Sequence, residues 1–194
     1  MQKLDTAKKV AILTSAKQRF RTYGVQKTTM QEIARDAGIA VGTLYLYFKN
    51  KEEIILSCAE AFAQRHVEAA ETILRSPISP VEKLRSYILN RFRAAQETRI
   101  SSAHAAEIIR IALRLKPESL VEETTWRQNT ILSILEKGIA SNDFQIANPA
   151  RDAEVFMYAI SCFLSIAVIE GYREPEESQL CLVMDWFIEQ WSRP

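Results

Sequence analysis

Residues 29–48 read TMQEIARDAGIAVGTLYLYF, and the fold at this end of the chain follows from them. Thr29-Met-Gln-Glu32 is a capping box: the threonine hydroxyl can accept from the Glu32 amide while the Glu32 carboxylate reaches back. Ile33 and Ala34 follow on one helical face. Gly38 then supplies the residue best suited to the left-handed conformation that ends a helix. A second short helix spans Val41–Tyr47. Ile33, Ala34 and Ile39 lock the two together, with Leu44 and Phe48 turned to the same core. Two short helices about a tight glycine turn make a helix-turn-helix.

What stays outward on the second helix is Val41, Gly42, Thr43, Tyr45 and Tyr47. A solvated helix normally shows lysine and glutamate there. A small residue, a hydroxyl and two phenols suit close approach to a groove wall and hydrogen bonds to phosphate. Tyrosines are also common half-buried core residues, so the two phenols alone decide nothing. Charge points the same way as the helix. Residues 1–51 carry ten Lys/Arg against three Asp/Glu, a net +7, whereas residues 52–194 carry fifteen against twenty-one, a net −6. That split suggests a polyanion partner for the first quarter, although a solvated basic surface would give the same count.

Outward from this motif, helical punctuation continues in both directions. Val10, Leu13, Ala16 and Phe20 repeat at helical spacing from Asp5 to Tyr23, and Gly24 stops the run. Asn50-Lys-Glu-Glu53 opens a helix that passes Ile54, Ala61 and Val67 towards Leu74. Pro77 and Pro80 break the chain, and Ser79-Pro80-Val81-Glu82 restarts it with proline in the first turn. Further helices are predicted at 80–98, 102–115, 118–141, 149–171 (closed by Gly171) and 175–192. Five glycines and six prolines in 194 residues leave few turns for hairpins,. The fold class is therefore all-α, with about nine helices. An N-terminal three-helix domain covers 1–50 and a C-terminal helical domain covers 51–194.

Several function classes fall away. No GxSxG, glycine-rich phosphate loop or HExxH occurs, so an enzyme is not expected. His66 and His104 lack Cys, Asp or Glu at ligand spacing, and no metal or cofactor is expected. Cys58, Cys162 and Cys181 are odd in number and read as reduced, small core residues. Val155–Ile169, the most apolar segment, falls short of the ~20 residues a membrane span needs. Met1–Asp5 has no apolar leader stretch. A soluble, cytoplasmic protein with no membrane role is the expectation.

The string GTLYLYFKNKEEII, residues 42–55, closely resembles the signature of the TetR family of transcriptional regulators. Thr28-Thr29, Ile33-Ala34 and Ala37-Gly38 fall where the family pattern has them, and the resemblance covers residues 7–60. It implies a recognition helix with Val41, Gly42 and Thr43 nearest the bases, and Thr29, Tyr45, Tyr47 and Lys51 on phosphates. Lys51 sits beside a helix N-terminus that itself favours anions. One departure is Ala40, where many members carry a Ser or Thr cap worth roughly 1 kcal/mol.

The resemblance further implies a ligand-responsive repressor that binds a palindromic double-stranded operator as a homodimer. A small, largely apolar effector of unknown identity would release it by moving the helix from Asn50 to Leu74. An effector pocket would lie among the central helices, with Tyr87, Phe92, Trp126 and Phe163 as walls and Arg91, His104, Glu107 and Asn129 as polar anchors. Each of these could equally be surface or core. A protein partner in place of a metabolite is the rival reading, and it would show a solid core without a cavity. A groove-reading monomer contacts too few bases for specificity, so such motifs work as symmetric dimers. Phe156 and Ile160, with Leu180, Met184, Phe187 and Trp191, repeat at helical spacing and offer a dimer interface. The alternative is that these stripes are intrachain core.

Overall fold

The computed structural model describes residues 5–101, 104–165 and 174–192. Among them are nine helices and no strand: α1 (Thr6–Tyr23), α2 (Met30–Asp36), α3 (Val41–Tyr47), α4 (Lys51–Arg75), α5 (Pro80–Ser101), α6 (Ala105–Leu115), α7 (Glu118–Ala140), α8 (Pro149–Leu164) and α9 (Glu177–Ser192). The expected helix to Gly171 ends earlier, because Ser165 is extended at φ −68° and ψ 136°. Gly171 and residues Met1–Leu4 lie outside the described residues. Among the described residues no helix is long and apolar enough to cross a membrane.

Local chemistry explains the boundaries. The Asp5 carboxylate accepts from the Ala7 amide at 2.8 Å and starts α1. Gly24, at φ +83°, ends it by donating to the Phe20 carbonyl. The capping box of α2 is complete, with both Thr29–Glu32 bonds present. Gly38, at φ +68°, donates to the Arg35 carbonyl while Ile39 donates to that of Ala34. This paired motif closes the last turn of α2 and aims the chain into α3. Asn50, Ser79 and Asn148 cap α4, α5 and α8 by accepting from the amide three residues on. Ala40 offers no side-chain cap to α3.

The helices form two compact units. The first comprises Met1–Arg65 and Thr98–Ser119, the second His66–Glu97 and Leu120–Pro194. The first core joins Ile12, Ala16 and Phe20 of α1 to Ile33, Ala34, Leu44, Phe48, Ile54 and Ile55. It also takes in Ile108 and Ala112, so α6 packs on α1 and belongs here. Sequence order hid this, since α6 returns to the first unit after a long excursion.

The second core is built from Leu84, Tyr87, Ile88 and Phe92 on α5, Ile131, Ile134 and Leu135 on α7, and the inner faces of α8 and α9. Phe156 lies 5.0 Å from Phe187 and 5.4 Å from Trp191 between ring centroids, all edge-on. Trp191 also donates its indole N–H to Asp152 at 2.8 Å. Edge-to-face contacts of this kind add to plain burial. Gly138 of α7 is packed directly against the Phe144 ring.

Candidate functional site

The helix-turn-helix is held rigid from beneath. Leu44 and Phe48 are buried, and between them α3 presents Gly42, Tyr45 and Leu46 to solvent, with Val41, Thr43 and Tyr47 half-buried. A side chain built on Gly42 would meet nothing within 4 Å, so this end of α3 is open to close approach. Leu46 is 67% exposed and was missing from the outward set read from sequence. Its phase could have revealed it, since position 46 lies opposite the buried 44 and 48 on a 3.6-residue helix. A large exposed apolar side chain on a short helix suits contact with a thymine methyl.

Arg19 was also absent from the sequence reading. Although charged, it is 9% exposed and joins α1 to α2 through Asp36 at 2.5 Å and Glu32 at 3.1 Å. Its hydrogen bond holds the Asp36 carboxylate below the usual range, while the Thr29 bonds do the same for Glu32. The Tyr47 hydroxyl accepts from the Asp5 amide at 3.0 Å, tying the start of α1 to the end of α3. The phenol proton stays available for a phosphate.

Two residues expected on phosphates also bond within the chain. The Lys51 ammonium donates to the Val25 carbonyl at 2.8 Å and the Thr28 carbonyl at 3.0 Å. It staples the turn between α1 and α2 rather than standing free. The Thr29 hydroxyl donates to Glu32 and accepts from its amide, so its single proton is used within the capping box. We therefore expect Lys51→Ala to destabilise this turn by ~1–3 kcal/mol through orphaned carbonyls. Operator and random DNA should weaken by similar factors, with the log-log salt dependence unchanged. A slope reduced by about 1 would return Lys51 to the phosphate contacts.

In the second unit, Tyr87, Arg91 and Trp126 come together. The Tyr87 and Trp126 rings stand edge-on at 6.4 Å, and Arg91 pairs with Glu123. Phe163 packs on Phe92 at 6.5 Å. Asn129 is exposed. His104 is not among this group: it lies in the first unit at the start of α6, 3.4 Å from Glu107, with its ring beneath Gly24. The sequence gives no cue to that separation, because α5 and α6 are adjacent in the chain.

Of the six residues offered as a dimer interface, five are buried within the chain and Phe187 is half-buried. Phe156, Ile160, Leu180 and Met184 have no exposure, Trp191 has 3%, and Phe187 packs against the same cluster. The outward faces of α8 and α9 instead carry Val155, Tyr158, Leu182 and Trp186, exposed by 46%, 73%, 69% and 57%. Helical periodicity marks a stripe but not which of two apolar stripes faces inward. Of the thiols, Cys58 is buried, with burial raising its pKa to about 11, Cys181 is half-buried, and Cys162 is exposed rather than core. No metal-binding group of His, Cys, Asp and Glu exists among the described residues.

The chain's likenesses agree with this geometry. Residues 12–58 match the family described as bacterial regulatory proteins, tetR family, and residues 80–181 match the tetracyclin repressor-like C-terminal domain. A fatty acid metabolism regulator protein of Bacillus subtilis is 28% identical over 152 residues, covering 78% of each chain. The transcriptional repressor KstR2 of Mycolicibacterium smegmatis is 27% identical over 135 residues, covering 69% of this chain and 66% of the repressor. A transcriptional regulator from Cytophaga hutchinsonii shares the fold at a TM-score of 0.79 and 22% identity, over 97% of this chain and all of that one. Two family matches that together span the helix-turn-helix and most of the second half leave one conclusion: the chain belongs to the TetR family of transcriptional regulators.

Proposed function

We propose that this regulator is a repressor that binds a palindromic operator as a homodimer and leaves it when a small effector binds. The open face of α3 carries the reading: Gly42, Tyr45 and Leu46 stand outward on a helix fixed by Leu44 and Phe48. Its surroundings are basic where the rest of the chain is acidic, which favours a phosphate backbone,. The dimer is proposed through Val155, Tyr158, Leu182 and Trp186, because an exposed stripe of this size on two packed helices calls for a partner,. Release requires the effector to bind the two conformations with different affinity. We assign that difference to α4, whose residues belong to both units.

Selection of bound duplexes from a random library tests the reading. An inverted repeat should emerge, with half-sites about one helical turn apart or a multiple of it. A single unrepeated motif would refute the dimeric mode. Within that operator, Thr43→Ala should cost ~1–3 kcal/mol at one base pair of each half-site and little elsewhere. If every single-base variant weakens in parallel, Thr43 positions the helix and reads no base.

A further inference from the structure

Inside the second unit, α5 and α7 enclose an ionic cluster with one anion too few. Arg91 and Arg127 both bond the carboxylate of Glu123, one to each oxygen. Both guanidinium side chains are 13% exposed, and each retains a buried Nε–H without an acceptor. Tyr87, 1% exposed, adds a buried hydroxyl that makes no hydrogen bond. Its neighbour Thr130 gives its own proton to the Trp126 carbonyl at 2.9 Å. Burial pulls the Arg91 guanidinium below its usual pKa and pushes the Tyr87 phenol up to about 12, so both groups lie in a poorly solvated place.

A purely structural ion pair would close with matched charge and filled donors, because buried charge and orphaned donors both oppose folding. This one closes with two cations, one anion and three donors open. An added monoanion would bring the cluster to neutrality, whereas a dianionic phosphate would overshoot. A carboxylate also fits the planar donor geometry of guanidinium. Trp126, edge-on to Tyr87 and half-buried, supplies an apolar wall beside the phenol ring.

We propose that this cluster recognises a carboxylate on the effector, which accepts from the Arg91, Arg127 and Tyr87 donors that Glu123 leaves open. The inference rests on the effector response proposed above and names the chemistry of its ligand. A neutral molecule of the same shape would leave the positive excess uncompensated.

Tyr87→Phe is the discriminating variant, since it removes only a hydroxyl with no partner and keeps the ring against Trp126. Calorimetry on the whole protein should find decanoate bound at least about tenfold tighter than decan-1-ol. Tyr87→Phe should keep its melting temperature and lose about tenfold for decanoate alone. In Glu123→Gln, acetate should raise the melting temperature more than chloride at equal concentration, by replacing the missing carboxylate. Equal binding of acid and alcohol, or acetate acting no better than chloride, overturns the carboxylate site. Operator binding separates the two readings. Decanoate that binds in a Tyr87-dependent way without releasing operator supports the site and refutes the effector response. Release by acid and alcohol alike, insensitive to Tyr87→Phe, refutes the site and keeps the response.

Discussion

Replacing Trp186 with glutamate is expected to split the proposed dimer while leaving each chain folded. Trp186 is 57% exposed on α9 and stands edge-on to Phe187 at 5.0 Å, so its ring is presented outward on a supported base. In the separated chain a glutamate there is hydrated and costs little. Across a two-fold interface it buries an unpaired charge twice, at several kcal/mol each. Operator affinity should fall by two orders of magnitude or more, since the spacing of the two recognition helices is lost. Random-DNA binding should fall far less. Phe156→Glu is the contrast. Phe156 is fully buried against Phe187 and Trp191, so that variant should lose its helical signal whatever the assembly state. Sedimentation and a thermal melt on both variants decide the matter. A Trp186→Glu protein that stays dimeric and binds its operator normally would place the interface elsewhere.

Gly138→Ala is expected to destabilise the second unit, although alanine is the better helix former by about 1 kcal/mol. Gly138 lies within α7 with ordinary helical backbone, so strain at φ is not the reason. A Cβ at this position would sit 2.1 Å from Phe144 Cδ2 and 2.6 Å from Cε2. The ring cannot swing away. It is 2% exposed, edge-on to Trp191 at 5.9 Å, and its own amide is bonded to the Gly138 carbonyl at 3.1 Å. Overpacking of this order costs about 3 kcal/mol or more, outweighing the gain in propensity. Gly138→Ala combined with Phe144→Leu should recover part of the loss, since the smaller side chain vacates the collision. A melting temperature equal to or above that of the parent protein would contradict the packing described.

Local chemistry made most of the fold legible before any coordinates. Thr29 and Glu32, Gly24 and Gly38, and the proline-led starts at Pro80 and Pro149 each act within one turn of chain, and the helices begin and end where they predict. The second short helix was legible for the same reason, because the phase of Leu44 and Phe48 leaves Gly42 and Tyr45 outward, although Val41, Thr43 and Tyr47 of the expected face are half-buried. Leu46 follows from that same phase.

The sequence by itself determined the helices, their order and the helix-turn-helix, since capping and periodicity are interactions between near neighbours. Tertiary structure alone decided what long-range partners do. It turned Lys51 inward onto two carbonyls, drew Arg19 between α1 and α2, and put α6 with its His104 beside α1. It also chose between the stripes of α8 and α9, burying Phe156, Ile160, Leu180 and Met184 and leaving Tyr158, Leu182 and Trp186 outside. Both stripes are apolar, so hydrophobicity could not rank them. Only the fit of Phe156 between Phe187 and Trp191, with the Asp152 carboxylate placed to take the indole N–H, selects the inward face.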